Sequence, residues 1–136
     1  MGSPETVVID SDILIDHLRG FLPAKVYLTL IEQQEKRGFI SAITVMELLS
    51  GKTAADKEKY HRILKLLSLF EIVNVSFEIA DKAGEIRRKY NTNPMDSLIA
   101  ATALIQNKYL ITCNIKHYKH IKELRLLQPY NKGNEY

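Results

Sequence analysis

The sequence predicts an α/β fold: a three-layer α/β/α sandwich with a mainly parallel sheet of four or five strands. Three observations carry that expectation. Short apolar runs alternate with longer stretches of helical periodicity, the order expected of strands joined by crossover helices. The runs are apolar on successive residues, as in VVI at 7–9, so both strand faces are buried, as in covered parallel sheets. The length, 136 residues, suits one domain with its own core. Residues 1–5 and 131–136 are expected to fray.

The elements follow in order. Residues 5–9 read as the first strand. Residues 11–19 read as a helix with Ile13, Leu14 and Leu18 inward, broken by Gly20. Pro23 suits the first turn of a second helix that runs to about Arg37 on a stripe of Val26, Leu28, Leu30 and Ile31. Gly38 stops it, and residues 38–43 hold a second strand. Residues 44–49 are helical and end at Gly51. Residues 54–69 form a longer amphipathic helix. Tyr60, Ile63, Leu64, Leu67 and Phe70 share one side at the i, i+3, i+4, i+7 spacing. A third strand at 71–75 precedes a helix at 77–90. Pro94 opens a helix that carries the apolar run 98–105. A fourth strand lies at 109–112, and residues 124–128 offer a fifth. There is no internal repeat or linker.

The hydrophobic fraction, 46%, and the charged fraction, 26%, are ordinary for a globular protein. The net charge of +3 is compatible with a polyanionic partner. The single cysteine, Cys113, excludes an intrachain disulfide and a cysteine-built metal site, and a free thiol suits a reducing compartment. The longest apolar stretch, 98–105, is far short of the roughly 20 residues of a membrane span. The opening MGSPET lacks the features of a signal peptide. A cytoplasmic protein is expected.

Three acids stand beside apolar runs: Asp10, Glu47 and Asp96. Each has a local structural explanation. Asp10 and Ser11 can cap a helix. Thr44 to Glu47 has capping-box spacing. Asp96 sits in a first turn, where the helix dipole favours negative charge. Their placement together suggests more. Parallel sheets bind ligands beyond the carboxyl ends of their strands, and right-handed crossovers would bring all three acids to that edge. Two carboxylates about 5 Å apart repel by roughly 3 kcal/mol at an effective dielectric near 20. Three such pairs make little sense without a cation, and all-oxygen donors suit Mg²⁺ or Mn²⁺. His117 and His120, in HYKH without nearby cysteines, read as surface or phosphate contacts. Basic residues for phosphate contact are Lys52, Arg87, Arg88, Lys89 and Lys116, with the run 87–89 foremost.

At these residues the chain resembles a PIN-domain ribonuclease of the VapC toxin type. The carrying motifs are VVIDSDILI with Asp10, ITVMELLSG with Glu47 and MDSLIAATAL with Asp96; YLITCNIKHY resembles the family's fourth block. The spacing agrees over residues 6–129. The most specific piece is the hydrophobic-Asp-x-x-hydrophobic-Ala-Ala block. The resemblance implies a PIN-like α/β/α fold and an endoribonuclease dependent on Mg²⁺ or Mn²⁺. It makes Asp10, Glu47 and Asp96 the catalytic acids that hold the metal. Asn114 stands where a fourth acid is common, and Asp12 where the family is often uncharged; both are further candidate ligands. Thr112 and Ser11 are candidates to support them. The implied partners are RNA, an antitoxin protein and a second copy of the chain. An antitoxin segment would cover apolar surface of the 54–69 helix and reach an Arg into the acids.

Other classes fit less well. Asp-x-Asp after a strand also opens haloacid-dehalogenase-like phosphatases, but Ile13 and Leu14 stand where Thr or Val is needed. A receiver domain needs an Asp after its third strand, and Val73 to Ser76 supply none. Asn114 keeps open a PIN-like binding module without catalysis.

Overall fold

The computed structural model describes residues 4–132. Among them five strands form one sheet with helices on both faces. In chain order the elements are β1 (Glu5–Ile9), α1 (Ser11–Leu18), α2 (Leu22–Glu32), β2 (Lys36–Ser41) and α3 (Ala42–Leu49). A 3₁₀ turn (Lys52–Ala55) leads to α4 (Lys57–Leu67), β3 (Glu71–Val73), α5 (Phe77–Tyr90) and α6 (Pro94–Gln106). Then come β4 (Leu110–Ile111), α7 (Ile115–Tyr118) and β5 (Leu126–Leu127). The order across the sheet is β3-β2-β1-β4-β5, and every pairing is parallel. The chain builds outward from β1 in one direction, then returns to its other side. The strand order therefore reverses at β1, where such sheets leave a crevice.

The alternation of β1 divides the core. Val7 and Ile9 face one layer with Ile13, Leu14, Leu28, Leu48, Ile63 and Leu67, supplied by α1 to α4. Val8 faces the other with Ile79, Ile86, Ile99, Leu110 and Tyr118, supplied by α5 to α7. This is the expected three-layer sandwich. Among the described residues no helix is long and apolar enough to cross a membrane.

Several boundaries differ from the sequence reading. The second helix ends at Glu32, not near Arg37, because Gln34 turns left-handed at φ 63°. Gly38 does not stop a helix; it lies inside β2, which spans Lys36–Ser41 and not 38–43. A Cβ there would stand 2.6 Å from a ring carbon of the buried Phe70, so the strand needs a residue without one. Val26 is exposed rather than on the inward stripe. The long helix starts at Lys57, capped by Asp56, whose carboxylate accepts from Lys59 N–H at 3.1 Å. Its buried residues are Ile63, Leu66 and Leu67, while Tyr60 and Leu64 are exposed. The third, fourth and fifth strands are each shorter than expected. Near the end, Tyr130 and Lys132 are tied to Asp16. The rest of the expected fraying, residues 1–3 and 133–136, lies outside the described residues.

Candidate active site

The carboxyl end of β1 delivers Asp10 into the crevice. Its side chain does two jobs there. Oδ1 accepts from Ser11 N–H at 2.8 Å, which caps α1. Oδ2 accepts from the Thr112 hydroxyl at 2.9 Å, which joins β1 to the end of β4. Asp10 is only 5% exposed. Burial, and next the charge of Asp12, push its carboxyl up to about 7. A carboxylate ionised at neutral pH is thus held where water cannot solvate it, and the donors from Ser11 and Thr112 offset only part of that cost.

Glu47 comes from α3. It does not form a capping box with Thr44; the cap of α3 is Ser41, whose hydroxyl accepts from Ile43 N–H at 3.0 Å. Glu47 instead turns to α1, where its Oε1 accepts from the Ser11 hydroxyl at 2.6 Å. Buried Thr44 backs the same hydroxyl at 3.1 Å. Ser11 therefore joins Asp10 through its N–H and Glu47 through its O–H.

Asp96 lies in the first turn of α6, whose cap is Asn93. Its Oδ2 accepts from Asn93 Nδ2 at 2.7 Å and sits 3.2 Å from His117 Nδ1. Its Oδ1 accepts from the Tyr118 hydroxyl at 3.2 Å. The same hydroxyl favours the charged form of Asp10 as a hydrogen-bond donor. Burial, then the charges of Asp10 and Asp96, push Tyr118 proton loss far above its usual range, so it stays a neutral donor. The acids are thus linked in one series: Glu47, Ser11, Asp10, Tyr118, Asp96.

They are neighbours through these hydroxyls, not in mutual contact. Among the described residues no three His, Cys, Asp or Glu side chains are gathered as tightly as a metal ion requires. The large repulsion expected from three touching carboxylates is accordingly absent, and the perturbing charge on Asp10 is that of Asp12. The donor chemistry still fits a divalent cation: hard oxygens at one sheet edge, with a buried carboxylate whose charge nothing cationic balances.

The other expected residues divide. Asp12 is adjacent to Asp10, but its Oδ2 accepts from Cys113 N–H at 2.9 Å, so half of it is committed to the backbone after β4. Burial raises its carboxyl. Thr112 is fully buried and also accepts from Asn114 N–H at 2.9 Å. Asn114 precedes α7, and its side chain makes no cap bond there. The basic residues do not form one patch. Arg87 donates to Thr92 O at 3.2 Å and so braces the turn before α6. Lys89 lies over the Tyr90 ring and 4.0 Å from Glu123. Arg88 and Lys52 are exposed. Lys116 is exposed on α7, next to the two residues that touch Asp96.

Sequence reasoning missed Tyr118 and undervalued His117. Both lie in α7, a helix too short for periodicity to show. The legible signal was HYKH directly after the fourth block. His120 is not a metal ligand; its Nε2 pairs with the Thr92 hydroxyl at 2.7 Å.

Comparison with known proteins agrees with this arrangement. Residues 7–123 match the PIN domain. Ribonuclease VapC10 of Mycobacterium tuberculosis is 32% identical over 124 residues, covering 88% of this chain and 90% of that one. Ribonuclease VapC2 of Methanocaldococcus jannaschii is 30% identical, covering 90% and 93%. Among solved structures, a chain of a toxin–antitoxin complex from Klebsiella pneumoniae superposes with a TM-score of 0.78 at 34% identity, covering 92% and 98%. The strand order, the acids at the reversal point and these likenesses place the chain in the PIN-domain family, among the VapC ribonucleases.

Proposed function

We propose that this chain is a single-domain, cytoplasmic endoribonuclease that uses Mg²⁺ or Mn²⁺, and the toxin of a toxin–antitoxin pair. One observation carries the reading: Glu47, Ser11, Asp10, Tyr118 and Asp96 form one connected series at the carboxyl edge of the sheet. The kinship with VapC ribonucleases supports the substrate class.

Asp10 and Asp96 would hold the cation, with Glu47 completing the set and Asp12 or Asn114 assisting. A bound divalent cation supplies charge against the phosphoryl oxygens and makes a water more acidic. The residues of the chain do the rest. Thr112 and Ser11 fix the Asp10 carboxylate so that its orientation costs nothing at the moment of reaction. Glu47, held by one hydroxyl and half-exposed, is the acid with freedom to accept the proton of an attacking water. Water adds at phosphorus and a backbone P–O bond breaks, leaving one phosphomonoester end and one hydroxyl end. Lys116 and His117 line the approach to Asp96 and suit the phosphates beside the cleaved bond. Lys52 and Arg88 suit more distant ones, whereas Arg87 and Lys89 serve chiefly to brace the α5–α6 turn. Single-stranded RNA suits so shallow a site.

The partners follow from the surface. A groove of about 370 Å³ runs between α1, α3 and α4 over Ile15, Leu18, Leu48 and Ile63, and reaches Glu47. It suits an antitoxin segment, as the toxin–antitoxin neighbour suggests. Exposed Ile72 and Phe77, at and after the edge strand β3, suit a homodimer.

The test is incubation of purified protein with total RNA and Mg²⁺ or Mn²⁺, with fragment ends mapped. Metal-dependent cleavage that Asp10→Asn and Asp96→Asn abolish is expected. Undiminished cleavage in both variants would overturn the assignment. No cleavage of any RNA and no metal-induced stabilisation would leave a binding module.

A further inference from the structure

Tyr118 is the largest fully buried side chain, 1% exposed. Its ring belongs to the core layer of Val8, Ile99, Leu110 and Ile121. Its hydroxyl emerges from that layer between two acids. It donates to Asp96 Oδ1 at 3.2 Å and acts on Asp10 as a hydrogen-bond donor as well. A buried tyrosine hydroxyl normally finds a partner. Here the packed ring fixes where that hydroxyl stands, so the fold positions the acids and not the reverse.

Asp10 and Asp96 belong to elements far apart in sequence. Among the described residues no other side chain bonds to both. The remaining donors are private to one acid: Ser11 N–H and Thr112 to Asp10, Asn93 and His117 to Asp96. Each carboxylate offers about four lone-pair sites, so each can accept from Tyr118 and still bind an ion. Without the hydroxyl, two like charges would turn apart toward other donors. Both would then have to be reordered when an ion arrives.

We propose that Tyr118 is a positioning residue whose hydroxyl sets the separation of Asp10 and Asp96, and through it the affinity for the divalent ion, without touching RNA. The proposal rests on the reading of the site as a metal-dependent ribonuclease. Tyr118→Phe keeps the ring and removes only the hydroxyl. Partners that orient metal ligands are worth about 10–100-fold in affinity.

The experiment titrates Mn²⁺ into the RNA-free protein by calorimetry, for parent and Tyr118→Phe, then measures cleavage of one RNA oligonucleotide across Mn²⁺ concentrations. A Kd for Mn²⁺ weaker by about 10–100-fold is expected. Saturating Mn²⁺ should recover most of kcat, and KM for RNA should stay within about twofold. A folded variant with parental Mn²⁺ affinity overturns the proposal, and so does a kcat loss that saturating Mn²⁺ leaves in place. No ion binding by the parent overturns the metal reading and this proposal with it; unchanged affinity in the variant overturns this proposal alone. Should Tyr118→Phe fail to fold, the parent labelled at tyrosine ¹³Cζ serves instead. One tyrosine resonance should shift at the midpoint of a Mg²⁺ titration, and the absence of any such shift counts against the assignment.

Discussion

Removing the charge of Asp10 should stabilise the metal-free protein, in a way that depends on pH. In the folded chain burial and Asp12 push this carboxyl from 3.8 up to about 7. At about 1.4 kcal/mol per tenfold change in proton affinity, that gap is worth about 4 kcal/mol. The sign follows from proton binding. Because the folded pKa is the raised one, the favourable contribution is complete below pH 3.8 and is lost as pH rises to about 7. Between pH 5 and pH 8 the parent should lose about 3 kcal/mol from this group alone. Asp10→Asn has no such loss. Asn still caps α1, but it offers one acceptor oxygen to Ser11 N–H and the Thr112 hydroxyl, which costs about 1 kcal/mol at every pH. Urea unfolding of chelator-treated protein should therefore give nearly equal stabilities near pH 5. At pH 8 the variant should be ahead by about 3 kcal/mol. Mn²⁺ at pH 8 should raise the parent and leave the variant unmoved. A constant offset between the two proteins from pH 5 to pH 8, or a weaker variant at pH 8, would refute the reasoning.

Three further outcomes can be checked. Thr112→Val leaves Asp10 Oδ2 and Asn114 N–H unpaired in a buried place, so metal-free urea unfolding should show a loss of about 2–3 kcal/mol. Gly38→Ala drives a methyl into the Phe70 ring and should cost about 1–3 kcal/mol in the same assay, with cleavage unchanged once the protein is folded. Lys116→Gln should reduce the salt slope of single-stranded RNA binding by about 0.7, measured by fluorescence anisotropy between about 50 and 200 mM salt. An unchanged slope would place Lys116 off the RNA.

Much of this arrangement is legible in the sequence because strand pattern and acid position coincide. VVI running into Asp10 announces a strand that ends at a ligand edge, and the Ala-rich block after Asp96 announces a helix packed tightly in the core. The Asx and Ser caps that start the helices are legible too. The errors have physical causes. Gly38 looked like a helix stop because its reason, the Phe70 ring against β2, is a tertiary contact. Leu64 and Leu66 exchanged places because a capping Asp56 starts the helix later than hydrophobic spacing suggested. The run 87–89 looked like one basic patch, but consecutive helical residues point in different directions, and Arg87 is spent on Thr92 O. The capping-box reading of Glu47 failed because Ser11, from another helix, offers the better partner. Tyr118 stayed hidden because four residues of helix carry no pattern of their own.

The bond between Thr112 and Asp10 spans 102 residues. A ribosome making this chain therefore releases the first acid long before the strand that orients it, and the tyrosine beyond that strand comes later still. Over most of its synthesis the nascent chain carries an unassembled catalytic edge. A nuclease wired in this order becomes competent only as translation nears its finish, which spares the transcript and the machinery still producing it.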